Sequence, residues 1–452
     1  MSSKTHETLP AAEAKTLLNK ISDDLLRPIQ NHKGFTMWAL FLGLALALVL
    51  WAYVIQLRDG LGVTAMRDYS AWGSYIANFV FFVAVSLVGM LISAIMGLIG
   101  VEWAKPISRI AEIVAFSAVA VAGLVIVFDM GRPDRLLNVF IHGRFQSPIL
   151  WDVTVVTTYT AISLVLLILP LIPDIAIMRR RMTNLPKWQK MLYDMASFGW
   201  VGNDAQYHAL HRMLKVLMIL VIPVALAIHT VTSWLMASTL RPGWNSTIFG
   251  PYFVTGAFVA GTAAVIILMF FYRNNFKLKE YLTDYHFEMV SRLLVLTSLV
   301  YLYFNVNEYL VPGYKMPLHE GQHLTELFTG HWAPLFWATQ IFGLILPIIL
   351  LLFKPMRKPL PVTIIAVFVL VGAWFKRFII VVPTQFHPFL PIQNVPENFT
   401  TYSPTLIEIA VLIMPFILAL IIGTIVSKLI PVVSIWEVAE QKGISREVLN
   451  QE

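Results

Sequence analysis

The densest group of polar side chains among the long apolar segments of this sequence lies between residues 128 and 152. It stands out because the chain is 58% hydrophobic and only 13% charged. Histidine and carboxylates can take up protons, and arginines can hold an anionic or carbonyl oxygen. The segment is therefore a candidate binding site. Its ionisable residues are Asp129, Arg132, Asp134, Arg135, His142, Arg144 and Asp152.

Two interpretations of this segment stay open. In the simpler one, Pro133 ends one helix, Ser147 and Pro148 open the next, and Arg–Asp pairs hold the connection together. In the other, the segment forms a quinone head-group pocket, because oxidising a quinol requires hydrogen-bond partners for two oxygens and a base for two protons.

In the pocket interpretation, His142 is the expected base or hydrogen-bond partner and Asp152 is its carboxylate companion. Arg132 or Arg144 would be the cation that tunes the site, and Asp129 is a further candidate for binding the quinone. These roles predict that the residues meet near the outer membrane surface.

Tyr75 and Asn78 could line the same pocket. They are three residues apart and therefore share one helix face. The alternative is that Tyr75 belongs to an interfacial aromatic belt and Asn78 makes a helix–helix hydrogen bond.

A second set of polar residues is scattered through the apolar segments, and its members are candidates for a proton path across the membrane. Each ionisable residue inside a membrane is a functional candidate, although a structural role is as plausible for each one alone. The set is Glu112, Asp174, His229, Glu288, Arg292, Glu308 and Arg377.

Ten apolar segments must position these residues. Each is long enough to cross a hydrocarbon core of about 30 Å as a helix, which takes roughly 20 residues. The sequence therefore predicts an all-α polytopic membrane protein. The expected spans are 35–57, 71–101, 106–129, 149–177, 213–238, 252–273, 287–311, 331–353, 359–382 and 405–430.

The distribution of charge predicts the orientation. With ten spans, most of the 33 Lys and Arg residues fall on the side of the N-terminus, and positive residues favour the cytoplasmic side. Both termini are therefore expected in the cytoplasm, in a bacterial cytoplasmic membrane. The net charge of +7 then reflects topology and indicates no nucleic-acid partner.

Bound redox metals are not expected. The chain has no cysteine, which excludes thiolate-bound iron–sulfur clusters. Haem b normally needs two axial histidines on facing spans, and only His229 lies clearly inside one. We predict no haem and no metal site in this chain.

Several motifs in order along the chain resemble the NrfD-like, polysulphide-reductase-type membrane subunits, and in particular the ten-span branch found in alternative complex III. The similarity covers roughly residues 35–430. The motifs are Trp72-Gly73 with Asn78, Arg109-Ile110-Ala111-Glu112, Met130-Gly131-Arg132-Pro133, Ser147-Pro148 with Trp151-Asp152-Val153, Gly199-Trp200, His229-Thr230-Val231 and Pro242-Gly243-Trp244 through Phe253.

The resemblance implies a subunit that reacts with a quinone, expected to be menaquinone, near the outer face of its first helix bundle. It also implies an iron–sulfur subunit docked above that site and further membrane subunits, one of which could be a paralogue. The implied divisions are a tail (1–34), a flanking helix with its loop (35–70), two four-helix bundles (71–238 and 252–382), a second flanking helix (405–430) and a tail (431–452).

The sequence departs from the alternative complex III branch at two positions. Leu87 and Asp129 stand where histidine is expected. The alternatives are therefore the quinol-binding copy, a scaffold paralogue in the same complex that binds no quinone, a related subunit of a molybdopterin or sulfur-metabolising enzyme, and, from another class, a secondary transporter. A transporter would show inverted repeats with broken helices at matching positions, and Pro223 and Pro347 do not form such a pair.

Overall fold

The computed structural model describes residues 10–30, 34–182, 185–390 and 392–451. Within these ranges every regular element is a helix and no strand occurs. Ten helices are long and apolar enough to cross a membrane, which confirms the predicted all-α fold with ten spans. Spans 1 to 10 are Phe35–Asp59, Ser74–Ile99, Glu102–Asp129, Pro148–Arg181, Asp204–Ala237, Phe249–Asn275, Asp284–Lys315, Ala333–Leu352, Pro359–Phe386 and Leu406–Leu429.

Spans 5 and 7 begin earlier than their apolar segments predict. Span 5 starts at Asp204 because the side chain of Asn203 accepts a hydrogen bond from the backbone nitrogen of Gln206 at 2.8 Å. Thr283 and His286 form a reciprocal cap at the start of span 7. Hydropathy marks the part of a helix that lies in lipid, whereas capping residues decide where the helix begins.

Small residues allow two close helix crossings. A Cβ atom added to Gly372 of span 9 would lie 2.4 Å from the Cα of Gly343, inside a π-helical segment of span 8. A Cβ on Gly261 of span 6 would lie 2.7 Å from the Cβ of Val88 in span 2. Glycine at these crossings lets the backbones approach as larger residues would not.

The ten spans pack as one continuous set of helices. Spans 1 and 10 contact each other, and span 10 also packs against span 3. Span 2 contacts spans 3 and 6, while span 6 also contacts spans 7 and 9. Spans 2 and 6 thus join the two halves of the chain, and the division into two four-helix bundles stays a prediction.

Both terminal segments lie at the same end of the helix bundle. The N-terminal helix, Ala11–Leu26, packs against two short C-terminal helices, Ile435–Gln441 and Arg446–Gln451. We call this end the inner end, following the charge-based prediction. Of the predicted N-terminal tail, residues 1–9 and 31–33 lie outside the described residues, as do 183–184 in the next inner connection and Glu452 in the C-terminal tail.

Candidate functional site

A buried group of polar side chains lies at the outer ends of spans 1, 2, 3 and 10. We call it the outer cluster. Its members come from parts of the chain more than 300 residues apart, and span 10, which packs against spans 1, 2 and 3, brings them together. They are Gln56, Ser74, Tyr75, Asp129, Tyr402 and Glu408.

Tyr75 has a fixed place in the outer cluster. Its phenol donates to the side-chain oxygen of Gln56 at 2.8 Å, and the Gln56 amide donates to the backbone oxygen of Phe128 at 2.7 Å. Tyr75 is 1% exposed and Gln56 is 3% exposed. Two buried hydrogen bonds therefore connect spans 1, 2 and 3 beside the end of span 3.

Glu408 lies in the first turn of span 10 and is fully buried. One carboxylate oxygen accepts hydrogen bonds from the hydroxyls of Ser74, at 2.7 Å, and Tyr402, and the other accepts from the backbone nitrogen of Ala65 at 2.8 Å. A carboxylate is also favoured at a helix N-terminus. Glu408 is thus well satisfied and ties the outer cluster to span 10.

Asp129 is different, because one of its oxygens is free. Its Oδ1 atom is buried and has no hydrogen-bond partner among the described residues. The side chain lies close enough to Glu408 and Tyr75 to interact with both electrostatically. An unpaired buried carboxylate oxygen is costly, so it is the atom of the cluster best suited to receive a hydrogen bond or a proton from a ligand.

Asn78 faces elsewhere and is fully used in helix packing. Its amide donates to the backbone oxygen of Leu412 at 2.7 Å, and its oxygen accepts from the indole nitrogen of Trp374 at 2.6 Å. This is the helix–helix hydrogen bonding that the alternative interpretation describes, and it connects spans 2, 9 and 10.

The structure separates Asp152 from its predicted companions. Asp152 is 3% exposed and accepts a hydrogen bond from the Thr232 hydroxyl at 2.6 Å, which joins spans 4 and 5. His142 and Arg144 are exposed on the outer connection. Arg132 is exposed as well and pairs with Asp134 at 2.8 Å, as the simpler interpretation expects of this segment.

Three predicted residues at the inner side make local contacts. Glu112 accepts a hydrogen bond from Ser93, which lies in the π-helical segment Gly89–Ile95 of span 2. Glu288 pairs with Arg292 at 2.6 Å on the partly exposed face of span 7, the (i, i+4) pair expected from the spacing.

Asp174 holds the C-terminal segment in place. It is fully buried, forms an ion pair with Arg109, and accepts hydrogen bonds from the backbone nitrogens of Ile435 at 3.1 Å and Trp436 at 2.9 Å. Both carboxylate oxygens are therefore engaged. The contacts give Asp174 a structural role in attaching the C-terminal helices to span 4.

A second buried group, which we call the polar chain, runs through spans 6 to 9. The Tyr301 hydroxyl donates to Tyr252 at 3.4 Å, and Tyr252 donates to Asn305 at 3.0 Å. The Asn305 amide then donates to Gln340 at 2.8 Å, and Lys376 donates to the Tyr309 hydroxyl.

Two of the predicted proton-path residues adjoin the polar chain near mid-membrane. Arg377 is 4% exposed and interacts with Tyr301, and Gly256 leaves the space that both side chains fill. His229 of span 5 lies within electrostatic reach of Arg377. Its Nε2 atom is buried and unpaired among the described residues.

A pocket with about 420 Å³ of empty volume lies at the outer end of the polar chain. Glu308 and His323 line it, and each has a buried atom, Oε2 and Nδ1, without a hydrogen-bond partner in the described part of the chain. Burial lowers the pKa of His323 to about 3, so this imidazole is neutral at ordinary pH.

Sequence reasoning missed Gln56, Tyr402 and Glu408. Glu408 could have been noticed in the sequence, because it is an acidic residue in the first turn of an apolar segment. That segment follows Thr405, whose hydroxyl accepts a hydrogen bond from the backbone nitrogen of Glu408. The partners of Glu408 could not be found in this way, because they lie on other spans. No group of three His, Cys, Asp or Glu side chains suited to a metal ion occurs in the described ranges.

Comparison with known proteins agrees with the motifs. The family model described as "Polysulphide reductase, NrfD" matches residues 62–388. The Hdr-like menaquinol oxidoreductase integral membrane subunit of Archaeoglobus fulgidus is 22% identical over 89% of this chain and 96% of its own length. A selenate reductase subunit of Mesobacillus selenatarsenatis is 24% identical over 84% of this chain and 90% of its own length.

A third relative covers a similar share of the chain. The integral membrane subunit of menaquinone reductase from Nitratidesulfovibrio vulgaris is 22% identical over 83% of this chain and 86% of its own length. All three relatives are described by name as subunits, and two of those names refer to menaquinol or menaquinone.

Proposed function

This chain belongs to the polysulphide reductase NrfD family, and from that premise we propose that it exchanges electrons between the quinone pool and an iron–sulfur partner subunit. Relatives named as menaquinol oxidoreductase and menaquinone reductase membrane subunits support menaquinone as the substrate. The proposed location is the bacterial cytoplasmic membrane, with both termini in the cytoplasm and the partner at the outer face.

The free oxygen of Asp129 is the observation that carries the proposed quinone site. A quinol hydroxyl could donate to Oδ1 of Asp129 and lose its proton there, while Tyr75 and Gln56 hold the end of span 3 in place. Oxidation of a quinol releases two protons and two electrons. Asp129 would take the first proton, release it to the outer side and then take the second, while the partner subunit would take both electrons.

Asp152 stays a second candidate for binding the quinone, through the carboxylate oxygen that Thr232 does not bind. His142, Arg132 and Arg144 fit a different role. They are exposed, whereas a head-group pocket must exclude water, so we assign them to contact with the partner subunit.

The outer connection has the composition of a docking surface. Its apolar side chains Leu137, Ile141 and Phe145 are 65%, 68% and 86% exposed beside the exposed arginines. Exposed apolar groups rimmed by charge are typical of protein interfaces. Ile141→Glu should release the partner subunit and leave the chain in the membrane, while Leu318→Glu on another outer connection should not.

Turnover of the purified complex tests the quinone site. Asp129→Asn keeps the size of the side chain but removes the proton acceptor, and loss of a general base lowers the rate by about a hundredfold or more. Asp134→Asn is the matched control, five residues away on the exposed surface. Equal turnover of both variants, with all subunits retained, would place quinone chemistry elsewhere or favour the scaffold alternative.

Proton translocation is a second proposal, supported by the polar chain and by the Oε2 atom of Glu308 at its outer end, which has no hydrogen-bond partner among the described residues. In proteoliposomes, Glu308→Gln should reduce proton release per electron while quinol oxidation continues. Glu288→Gln removes a carboxylate from the partly exposed pair and is the control. Proton release that persists unchanged in Glu308→Gln would refute this path.

A further inference from the structure

A wide cleft opens between spans 1, 3, 6 and 10, away from both polar groups described above. The space between its lining residues is about 2120 Å³, part of it open to the surroundings, and is several times larger than that of the pocket at Glu308. Spans 2 and 9 close its deep end with Phe82 and Leu370. A cleft of this size at hydrocarbon depth does not stay empty, because apolar surface in a membrane is covered by lipid or by another apolar molecule.

The lining of the cleft changes from polar to apolar along its length. At the inner end it includes Lys428, Thr424 and Asn275. Further in, phenylalanine, alanine and leucine side chains predominate, with Ser117 as a polar exception. An occupant that fits this lining has one polar end near the inner surface and an apolar body directed towards the membrane centre.

The length of the cleft matches one leaflet. Its lining residues on span 10 run from Phe416 to Lys428, which is about 18 Å at the helical rise per residue. Half of a hydrocarbon core is about 15 Å thick. An acyl chain of the inner leaflet would therefore reach from the polar end to the deep end.

Lys428 supplies a positive charge at the depth of the lipid head groups. Its ammonium donates to the backbone oxygens of Pro28, at 2.9 Å, and Gln30, at 2.7 Å, and lies 4.6 Å from the centre of the Phe35 ring. Those contacts use two of its three donors and leave its charge unneutralised. No carboxylate pairs with Lys428 among the ion pairs of the described residues.

We propose that this cleft binds one phospholipid of the inner leaflet, with an acyl chain between spans 3, 6 and 10 and its phosphate beside Lys428. The lipid completes the packing of spans 1 and 10 against the rest of the helices. An anionic head group is preferred because it neutralises Lys428. The proposal does not depend on the redox function.

Native mass spectrometry can test the site on the protein extracted from vesicles of equal parts phosphatidylglycerol and phosphatidylcholine. The wild type should retain one phospholipid, with phosphatidylglycerol favoured about fivefold, the factor expected for one lysine at an anionic surface. Lys428→Gln should still retain a phospholipid but lose the head-group preference.

Gly423 offers a variant that fills the cleft. A Cβ atom built on Gly423 meets no atom within 4 Å, and Gly423 lines the cleft, so Gly423→Phe adds a ring there without a clash at its Cβ. It should lower lipid retention at least about tenfold. The matched control is Gly43→Phe on span 1, where the glycine is exposed and its Cβ also meets nothing within 4 Å.

Three results would overturn the proposal. The first is equal lipid retention in the Gly423→Phe and Gly43→Phe proteins. The second is a wild-type protein that retains a quinone at this stoichiometry in place of a phospholipid. The third is a wild-type protein that retains no lipid while its thermal stability equals that measured in the vesicles.

Discussion

Replacing Asp174 should release the C-terminal segment from the inner end. Asp174 and Arg109 are 0% and 2% exposed, so Asp174→Ala leaves a buried guanidinium without its carboxylate. Breaking a buried pair in this way costs about 3–5 kcal/mol. The backbone nitrogens of Ile435 and Trp436 also lose their acceptor. Undocking relieves these costs, because water can then reach the exposed groups.

A cysteine at residue 439 would report the release. The chain contains no cysteine and Ala439 is fully buried, so Ala439→Cys introduces a single thiol that reacts only when the C-terminal segment undocks. A cost of about 3 kcal/mol raises the undocked population about 150-fold. Maleimide labelling of the detergent-solubilised protein should accelerate by about that factor in the Asp174→Ala background.

Glu288→Ala provides the control for this experiment. It removes a partly exposed pair, which is worth about 0–1 kcal/mol, and should leave the labelling rate of the cysteine at residue 439 nearly unchanged. If the cysteine at residue 439 is labelled no faster in Asp174→Ala than in Glu288→Ala, Asp174 does not hold the C-terminal segment in place.

Two further predictions concern stability. Gly372→Leu should lower the thermal midpoint by several degrees, because its Cβ would lie 2.4 Å from the Gly343 backbone. Gly123→Leu, whose Cβ meets nothing within 4 Å, should leave the midpoint unchanged. Equal midpoints of the two variants would contradict the close crossing. Because burial lowers the pKa of His323 to about 3, the neutral imidazole stabilises the fold above pH 6.5, and this contribution is lost as the pH falls from 6.5 towards 3. The His323→Gln protein should therefore lose less stability than the wild type between pH 7 and pH 4 in thermal melts, and parallel curves would contradict that assignment.

The sequence was sufficient for the ten spans, because each must be apolar over about 20 residues whatever it packs against. It also named Asp129 and Tyr75, which the structure places in the outer cluster, while their part in binding a quinone stays a prediction. The interactions of Asp174 with the C-terminal helices could not be predicted. They connect residues about 260 positions apart, and local periodicity carries no information on such contacts.

Local sequence also could not predict how the residues of the candidate pocket at 128–152 pack. Nearness in sequence suggested that His142, Asp152 and the arginines meet, but the connection projects outward and exposes His142 and Arg144. Asp152 instead lies within span 4, where it contacts Thr232 of span 5. The side chain of Asp129 lies near Tyr75 of span 2 and Glu408 of span 10. Glu408 is far from Asp129 in sequence, so only tertiary packing brings the two together.

The most direct test of a quinone site at the outer cluster is photo-labelling of the purified complex with an azido-menaquinone, followed by mapping of the labelled peptides. We expect labelling at the outer ends of spans 2, 3 or 10, lost in Asp129→Asn and retained in Asp134→Asn, with every subunit still present. Labelling that is unchanged in Asp129→Asn, or that maps only to other spans, would contradict a quinone site at the outer cluster.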